Sequence, residues 1–525
     1  MKKFYITTPI YYVNANPHIG HAYTQIAVDA LARYHRMLGE KVFFLTGTDE
    51  HGEKIEEASL KAGYEKGGEK KFVDSIVPNF LRVWEALEIE YDGFLRTTDK
   101  EHEEEVREIL ISMKEKGDIY QGHYDGWFCT PCETFWTDTQ AGGGLCPDCK
   151  RPVKRIREKN YFFRMSGYQD WLKGYINENP EFVMPDFRRN EVLGFLREEL
   201  TDLCISRPKD RMSWGIEIPF DKDYVVYVWF EALINYISGL KKVNKMDEFW
   251  PADFHVIAKD IIRHHAVFWP IMLKSAGIPL PRTIFAHGWW KMGEEKMSKS
   301  RGNIVDPVAL IQKYGVDPLR YFLLKTVAFG MDGSFSEEAM VSVYNSDLAN
   351  DMGNLLNRTL TMVEKYFGGV SPEAPPGSGD SGQDARSADM IREEAVKLFP
   401  VMNSLLISPE LRLKEALETV MRLIGNANKY IEVSAPWNFS RQGNMEAIKL
   451  IMADLLEVLR SAAIGMLPFM PATAQRMWGQ LGLGGRIADS IDPAELTGDK
   501  AERDWRRFPP GTRVSKGEAL FPRII

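Results

Sequence analysis

The sequence predicts an α/β protein in which a Rossmann-like parallel sheet is interrupted by an inserted cysteine knuckle and followed by an α-helical bundle. Three observations carry that prediction. In the first part of the chain, short apolar runs that end in polar clusters frame a stretch of helical period. Four of the five cysteines then fall in two Cys-x-x-Cys pairs. After about Tyr344 the strand signals stop, and three-four apolar spacing takes over until near Leu481.

Residues 4–8 predict the first strand, 20–38 a helix and 41–46 a second strand. The helix sets Ile26, Ala30 and Tyr34 on one face, with Ala27 and Leu31 beside them, and Gly39 follows as a stop. A right-handed crossover makes the two strands parallel. Pro17-His18-Ile19-Gly20-His21 and Thr48-Asp49-Glu50-His51-Gly52 therefore share the carboxyl edge of the sheet, where open α/β sheets bind ligands. From about 117 to 223 the pattern changes to cysteine pairs, a basic stretch at 150–164 and a polar region through Arg211-Met212-Ser213-Trp214-Gly215, which predicts an inserted domain. The basic stretch holds seven Lys or Arg against Glu158, and it reads equally as a nucleic-acid surface or a solvated strand face. Residues 224–228, 254–257 and 283–286 predict further covered parallel strands. The last leads through His287-Gly288-Trp289-Trp290 to Lys296-Met297-Ser298-Lys299-Ser300. In the tail, Leu413, Ala416, Leu417, Val420, Ile424, Ala427 and Ile431 trace one buried helix face, and 371–389 predicts a surface linker.

A chain of 525 residues holds several domains. Its 44% hydrophobic and 27% charged content is that of a globular protein, and no apolar run nears the ~18 residues of a membrane helix. Met1-Lys2-Lys3 and the apolar run behind it faintly resemble a secretory leader, but no small-residue cleavage site follows. A formal charge of −8 argues against indiscriminate polyanion binding and leaves room for a local basic surface. Cys129-Thr-Pro-Cys132, thirteen residues, then Cys146-Pro-Asp-Cys149 has zinc-knuckle spacing. Four protein ligands leave no open position, so one structural Zn2+ is expected, with disulfides disfavoured in a reducing compartment. Cys204 is expected to be a buried packing residue. His18 and His21 at a helix start form a phosphate seat, Gly20 permits close approach, and Lys296 and Lys299 lie on a loop able to close over a triphosphate.

With both strings, the knuckle and the helical tail in this order, the chain resembles the methionyl-tRNA synthetases, class I aminoacyl-tRNA synthetases, over essentially its whole length. The class signatures HIGH and KMSKS stand letter for letter at 18–21 and 296–300. The resemblance implies a methionine–tRNA ligase using ATP with Mg2+, L-methionine and tRNA(Met) with its CAU anticodon. It implies catalytic roles for His18, His21, Lys296 and Lys299, with Gly20 and Ser298 also at ATP. Ile10, Tyr12, Trp229, Ala232, Leu233, Tyr236, Ile261, His265 and Trp269 are implied around the methionine side chain, and Asp49 on its ammonium. Such a wall suits a thioether, which is polarizable and favours aromatic edges. The family often has Val-Trp-x-Asp-Ala-Pro where this chain has Val228-Trp229-Phe230-Glu231-Ala232-Leu233. Asn354, Arg358 and Trp437 match the anticodon readers. The implied layout is a catalytic domain split over 1–116 and 224–295, an insert at 117–223, a lysine-loop and stem-contact region at 296–345, and an anticodon-binding region at 346–525. A cytoplasmic monomer that does not engage membranes is expected. The alternatives are a class I enzyme for another amino acid, or a non-catalytic RNA-binding paralogue.

Overall fold

The computed structural model describes residues 2–524 apart from 131–133, 137, 142, 148, 294, 297–304, 375–382 and 498–504. β1 (Lys3–Tyr12) is buried over most of its length, as a strand covered on both faces must be. It leads into α1 (Ile19–Met37), whose N-cap is His18. His18 Nδ1 accepts the Gly20 N–H at 3.0 Å, while His21 Nδ1 accepts the His18 N–H at 3.2 Å, so two histidines make a reciprocal capping box. Gly39, at φ +72°, turns the chain into β2 (Lys41–Asp49). Then come α2 (Glu53–Lys61), α3 (Glu69–Ala86), β3 (Gly93–Arg96) and α4 (Lys100–Glu115).

The inserted part comprises β4 (Ile119–Cys129), β5 (Thr134–Trp136), β6 (Lys154–Phe163), α5 (Gln169–Glu178), β7 (Val183–Met184), α6 (Asp186–Phe195), β8 (Leu203–Cys204), β9 (Ser206–Pro208), β10 (Glu217–Ile218) and β11 (Asp221–Val226). Next are α7 (Val228–Leu233), α8 (Asn235–Lys242), α9 (Met246–Phe249), β12 (Phe254–Ala258), α10 (Trp269–Ala276), β13 (Thr283–His287), β14 (Trp290–Met292) and β15 (Glu295–Lys296). α11 (Pro307–Tyr314), α12 (Val316–Lys325), β16 (Gly333–Phe335) and α13 (Glu337–Val343) precede a π-helical stretch at Tyr344–Gly353. The rest is helical: α14 (Asn354–Phe367), α15 (Gln383–Leu406), α16 (Leu413–Ser434), α17 (Pro436–Arg441), α18 (Met445–Met466), α19 (Pro471–Gln480) and α20 (Pro493–Leu496).

Six parallel strands form the central sheet in the order β3-β2-β1-β12-β13-β7. From β1 the chain first builds outward through β2 to β3 and later returns to add β12 and β13 on the other side. The strand order therefore reverses between β1 and β12, and a crevice opens at their carboxyl ends. One apolar core joins α1 and the sheet to α12 and the helices of the tail, through Ile26, Leu319, Phe469 and Met477. A second joins the insert to α8 and α10, through Phe163, Leu172, Ile237 and Trp269.

Three expectations are corrected. Residues 224–228 do not form a parallel strand: β11 lies antiparallel between β10 and β9, and the chain then turns into α7. Only Val225 and Val226 of β11 are buried, because Asp221, Lys222 and Asp223 keep its other end in water. The insert is also more than a knuckle. β4 and β6 form a long antiparallel ladder, and β7 completes the edge of the central sheet. The basic stretch is β6 and its approach, with Lys154, Arg155, Arg157 and Lys159 exposed. The supposed linker at 371–389 is helical from Gln383, and Ser371 is buried. Its hydroxyl donates to the Pro509 carbonyl at 2.9 Å and accepts the Thr512 N–H at 2.9 Å, which holds the C-terminal segment on the tail helices.

Candidate active site

At the switch point lies one cleft of about 2390 Å³. β1 supplies Ile10 and Tyr12, the end of β2 supplies Asp49, and the start of α1 supplies His18, Gly20 and His21. The His18 and His21 rings stack at 3.9 Å. Since Nδ1 of each accepts a backbone N–H, Nε2 carries the proton of the neutral ring. A Cβ on Gly20 would sit 2.9 Å from His18 Cε1 and displace the ring that caps the helix. A glycine at position 20 therefore has a local steric reason, apart from any approach by a ligand.

The opposite wall comes from α7, α8 and the turn after β12, which present Trp229, Ala232, Leu233, Tyr236, Ile261 and His265 to the same cleft. Tyr12 meets Trp229 edge-on, with centroids 6.2 Å apart, and Trp229 stacks on His264 at 3.8 Å. His264–Phe268 is a π-helical turn, and such wide turns recur at functional sites. Here it brings two consecutive histidines, His264 and His265, to the wall. His265 Nδ1 faces the Ile261 carbonyl at 3.0 Å, so it must be the donor, and Nε2 accepts the Tyr236 hydroxyl at 2.7 Å. Burial pushes His265 down to about 4 and His264 to about 3, so both are neutral at pH 7. Trp269 does not line the cleft. It lies behind Tyr236 and His255, donating its indole N–H to His255 Nε2 at 3.3 Å, so it supports the wall.

The lysine loop roots on the same edge. β14 pairs with β15, Lys291 opposite Lys296, which places the Lys296 backbone beside the cleft, while Ser298 and Lys299 lie outside the described residues. Asp332 fastens the root, 2.7 Å from Lys259 Nζ, 2.6 Å from Lys291 Nζ, and accepting the Trp289 N–H at 3.0 Å. Those donors outweigh partial burial and hold its carboxyl well below the usual carboxylate range. Lys259 lies 4.2 Å from the Trp289 ring centroid, and the Trp289 indole N–H donates to Asp260 Oδ1 at 3.2 Å.

In the insert, the sulfurs of Cys129, Cys146 and Cys149 lie within 4.8 Å of one another, with Cys129 Sγ 3.5 Å from Cys149 Sγ. A tetrahedral zinc with Zn–S of about 2.3 Å puts its sulfurs roughly 3.8 Å apart, so the three can hold one ion. Cys132 lies outside the described residues. Cys204 is buried, and burial pushes its thiol up to about 11, in keeping with a packing role.

In the tail, Asn354 is exposed at the start of α14 and Arg358 lies one turn later. Arg358 Nη1 reaches Glu432 Oε1 on α16 at 2.9 Å. Ala435, at φ +40°, turns the end of α16 into α17, where Trp437 is 38% exposed. Arg358 and Trp437 thus flank the last turn of α16, with Asn354 one turn back along α14.

Sequence reasoning missed several cleft residues. Lys54, whose ammonium sits 4.5 Å from the Tyr12 ring centroid, reads in sequence as an ordinary first-turn helix lysine. His264 sits beside the histidine chosen, and only the π-helical turn tells that both face inward. Among the described residues no helix is long and apolar enough to cross a membrane.

A parallel sheet whose order reverses at β1 and β12, a histidine-capped helix at that point and a lysine loop rooted on the same edge are the attributes of class I aminoacyl-tRNA synthetases. The family model described as "tRNA synthetases class I (M)" matches residues 4–156 and 151–360. The methionine–tRNA ligase of Caldanaerobacter subterraneus subsp. tengcongensis is 45% identical over 531 residues, covering 100% of this chain and 79% of that protein. That of Bacillus subtilis is 41% identical over 538 residues, covering 99% and 78%. Mycobacterium tuberculosis methionyl-tRNA synthetase in complex with methionyl-adenylate superposes with a TM-score of 0.90 at 40% identity, each chain covered completely. The chain belongs to the methionine–tRNA ligase family.

Proposed function

We propose that the chain joins L-methionine to ATP as methionyl-adenylate, releasing pyrophosphate, and then transfers the methionyl group to the 3′-terminal adenosine of tRNA(Met) for initiation and elongation of translation. The observation that carries this is the cleft at the switch point, with the capping histidines of α1 on one side and the aromatic wall of α7 and α8 on the other.

The methionine carboxylate attacks the α-phosphorus, and negative charge moves onto the departing pyrophosphate. Positioning and charge stabilisation then do most of the work. His18 and His21 present Nε2–H to the phosphates, and Gly20 keeps the approach open. Lys296, Ser298 and Lys299 close over the β- and γ-phosphates as charge builds there, which makes the two lysines transition-state groups. Asp49 takes the methionine ammonium. The side chain lies among Ile10, Tyr12, Trp229, Ala232, Leu233, Tyr236, Ile261 and His265, with Trp269 bracing Tyr236. Because Tyr236 already donates its hydroxyl to His265, Tyr12 is the better donor to the thioether sulfur.

Mg2+ accompanies ATP on phosphate oxygens and water. One Zn2+ on Cys129, Cys132, Cys146 and Cys149 braces the tip of the insert. Asn354, Arg358 and Trp437 read the CAU anticodon, the indole offering an unpaired base a stacking plane. The catalytic domain spans 1–116 and 224–295, the insert 117–223, the lysine-loop and stem-contact region 296–345, and the anticodon-binding region 346–525. β11 straddles the boundary at 223/224. We place the protein in the cytoplasm as a monomer, in keeping with its task in translation.

The test is exchange of labelled pyrophosphate into ATP without tRNA, with methionine compared against isoleucine, leucine, valine and cysteine. Exchange with methionine alone, reduced at least a hundredfold in kcat by Lys299→Ala, is expected. Exchange driven by another amino acid would overturn the specificity, and none from folded, zinc-loaded protein would overturn the activity.

A further inference from the structure

Directly behind the aromatic wall stands a buried charge that takes no part in the chemistry described above. Glu231 lies in α7 between Trp229 and Ala232, and its side chain is 0% exposed. Oε1 faces His51 Nδ1 at 3.1 Å, and Oε2 faces His102 Nε2 at 2.8 Å. The other nitrogen of His102 lies 2.8 Å from the Ser238 hydroxyl on α8. Three parts of the fold therefore meet on one carboxylate: α7, the turn two residues beyond Asp49, and α4.

A carboxylate kept from water is costly unless it is paired and fully hydrogen-bonded, and apolar packing at such sites is often at least as stable. What the paired carboxylate adds is direction. α7 has six residues and no side-chain cap, too short to hold its own place, so its neighbours decide how it is rotated. Hydrogen bonds from imidazoles on two different elements hold that rotation. Burial would raise the Glu231 carboxyl, but the His51 charge and the hydrogen bonds from His102 and His51 outweigh it and keep the group ionised.

We propose that Glu231, held by His51 and His102, is a positioning residue for the amino-acid pocket: it locks α7 to the end of β2, so that Trp229 and Asp49 keep a fixed spacing around the amino-acid substrate. This rests on the reading of that wall as the methionine site. The consequence is a division of labour, in which Glu231 governs capture of the amino acid while the histidines of α1 and the lysine loop govern ATP and the chemical step.

The experiment measures KM for methionine and for ATP separately, with kcat, by pyrophosphate exchange on the full chain carrying Glu231→Gln, His102→Gln or Ser238→Ala. Glu231→Gln keeps the size and loses the charge. It is expected to raise the methionine KM about tenfold, with the ATP KM within twofold and kcat within threefold of the parent. His102→Gln places an amide N–H where Nε2–H stood, and is expected to hold the methionine KM within about threefold. A methionine KM unchanged in folded Glu231→Gln would overturn the proposal, as would equal rises in the two KM values. If Glu231→Gln fails to fold by circular dichroism, Ser238→Ala decides: a rise in methionine KM alone supports the lock, and no rise or parallel rises overturn it. An inactive parent would overturn the functional reading and this proposal with it, whereas an active parent with an indifferent Glu231→Gln overturns only the lock.

Discussion

Replacing Arg320 by methionine removes a fully buried guanidinium that binds α1, the helix capped by His18, to the tail. Arg320, on α12, donates to Asp29 Oδ2 on α1 at 2.6 Å, to the Phe469 carbonyl at 2.8 Å, and to the Leu87 and Pro468 carbonyls at 3.1 Å. Breaking a buried ion pair from one side costs about 3–5 kcal/mol. Arg33 Nε still holds Asp29 at 2.7 Å, so the low end, about 3 kcal/mol, applies. Three carbonyls losing their donor add roughly 0.5–1 kcal/mol each, and the apolar methionine stem recovers part by packing. The expected loss is about 4–6 kcal/mol. Urea denaturation followed by fluorescence and circular dichroism measures it on the first transition, because a chain with several cores need not unfold in one step. Burial would raise the Asp29 carboxyl, but Arg320, Arg33 and the Glu90 N–H outweigh it, so its folded value lies below the ordinary one. Its contribution is therefore complete above an unfolded value of about 3.9 and fades as pH falls through the folded value. The difference between parent and variant should stay level from pH 8 to about 5 and shrink only in stronger acid. A loss under about 1.5 kcal/mol with unchanged denaturant slope, or a difference that shrinks already between pH 7 and 6, would refute this account.

Asp332→Asn keeps the shape of the lysine-loop root but frees Lys259 and Lys291, and should lower kcat for pyrophosphate exchange about tenfold with the methionine KM unchanged; a normal kcat would count against the root as a guide for the loop. Elemental analysis should find one zinc per chain, and stripping it with a strong chelator should lower the melting temperature; a metal-free protein of unchanged stability would refute the brace. Trp437→Ala should raise the tRNA KM roughly 5–150-fold, the equivalent of about 1–3 kcal/mol of base stacking, while exchange without tRNA is unaffected. An unchanged tRNA KM would remove Trp437 from the interface.

What could be foreseen from sequence divides along physical lines. β1, β2, β12 and β13 announce themselves because strands covered on both faces are continuous apolar runs. β3 and β7, of four and two residues, are too short to carry a period, and they join the sheet only because its neighbours present an open edge. Residues 224–228 mislead because the apolar run there is shared between the end of an antiparallel strand and the start of α7. At the cleft, the places of His18, Gly20 and His21 are legible since helix capping and the lack of room for a Cβ are local properties. Trp269 is not, because burial and pocket lining look alike in a sequence and only the layering of Tyr236 before it separates them. Asp332, Lys259 and Lys291 meet across many residues, and no spacing rule links them.

The strand order also sets a timetable for the ribosome. Ile6 pairs with Phe254, so β1 emerges with one flank unpaired and stays so until the insert has been made. At about 5–20 residues per second that wait is roughly 12–50 s. Meanwhile β1, α1 and β2 form a half-sheet whose exposed edge invites pairing with other chains, and the cysteine knuckle is synthesised before the edge is covered. Should the knuckle fold only around a metal ion, an undersupplied nascent chain would keep that edge open for longer, and metal supply would then show first in the yield of folded protein.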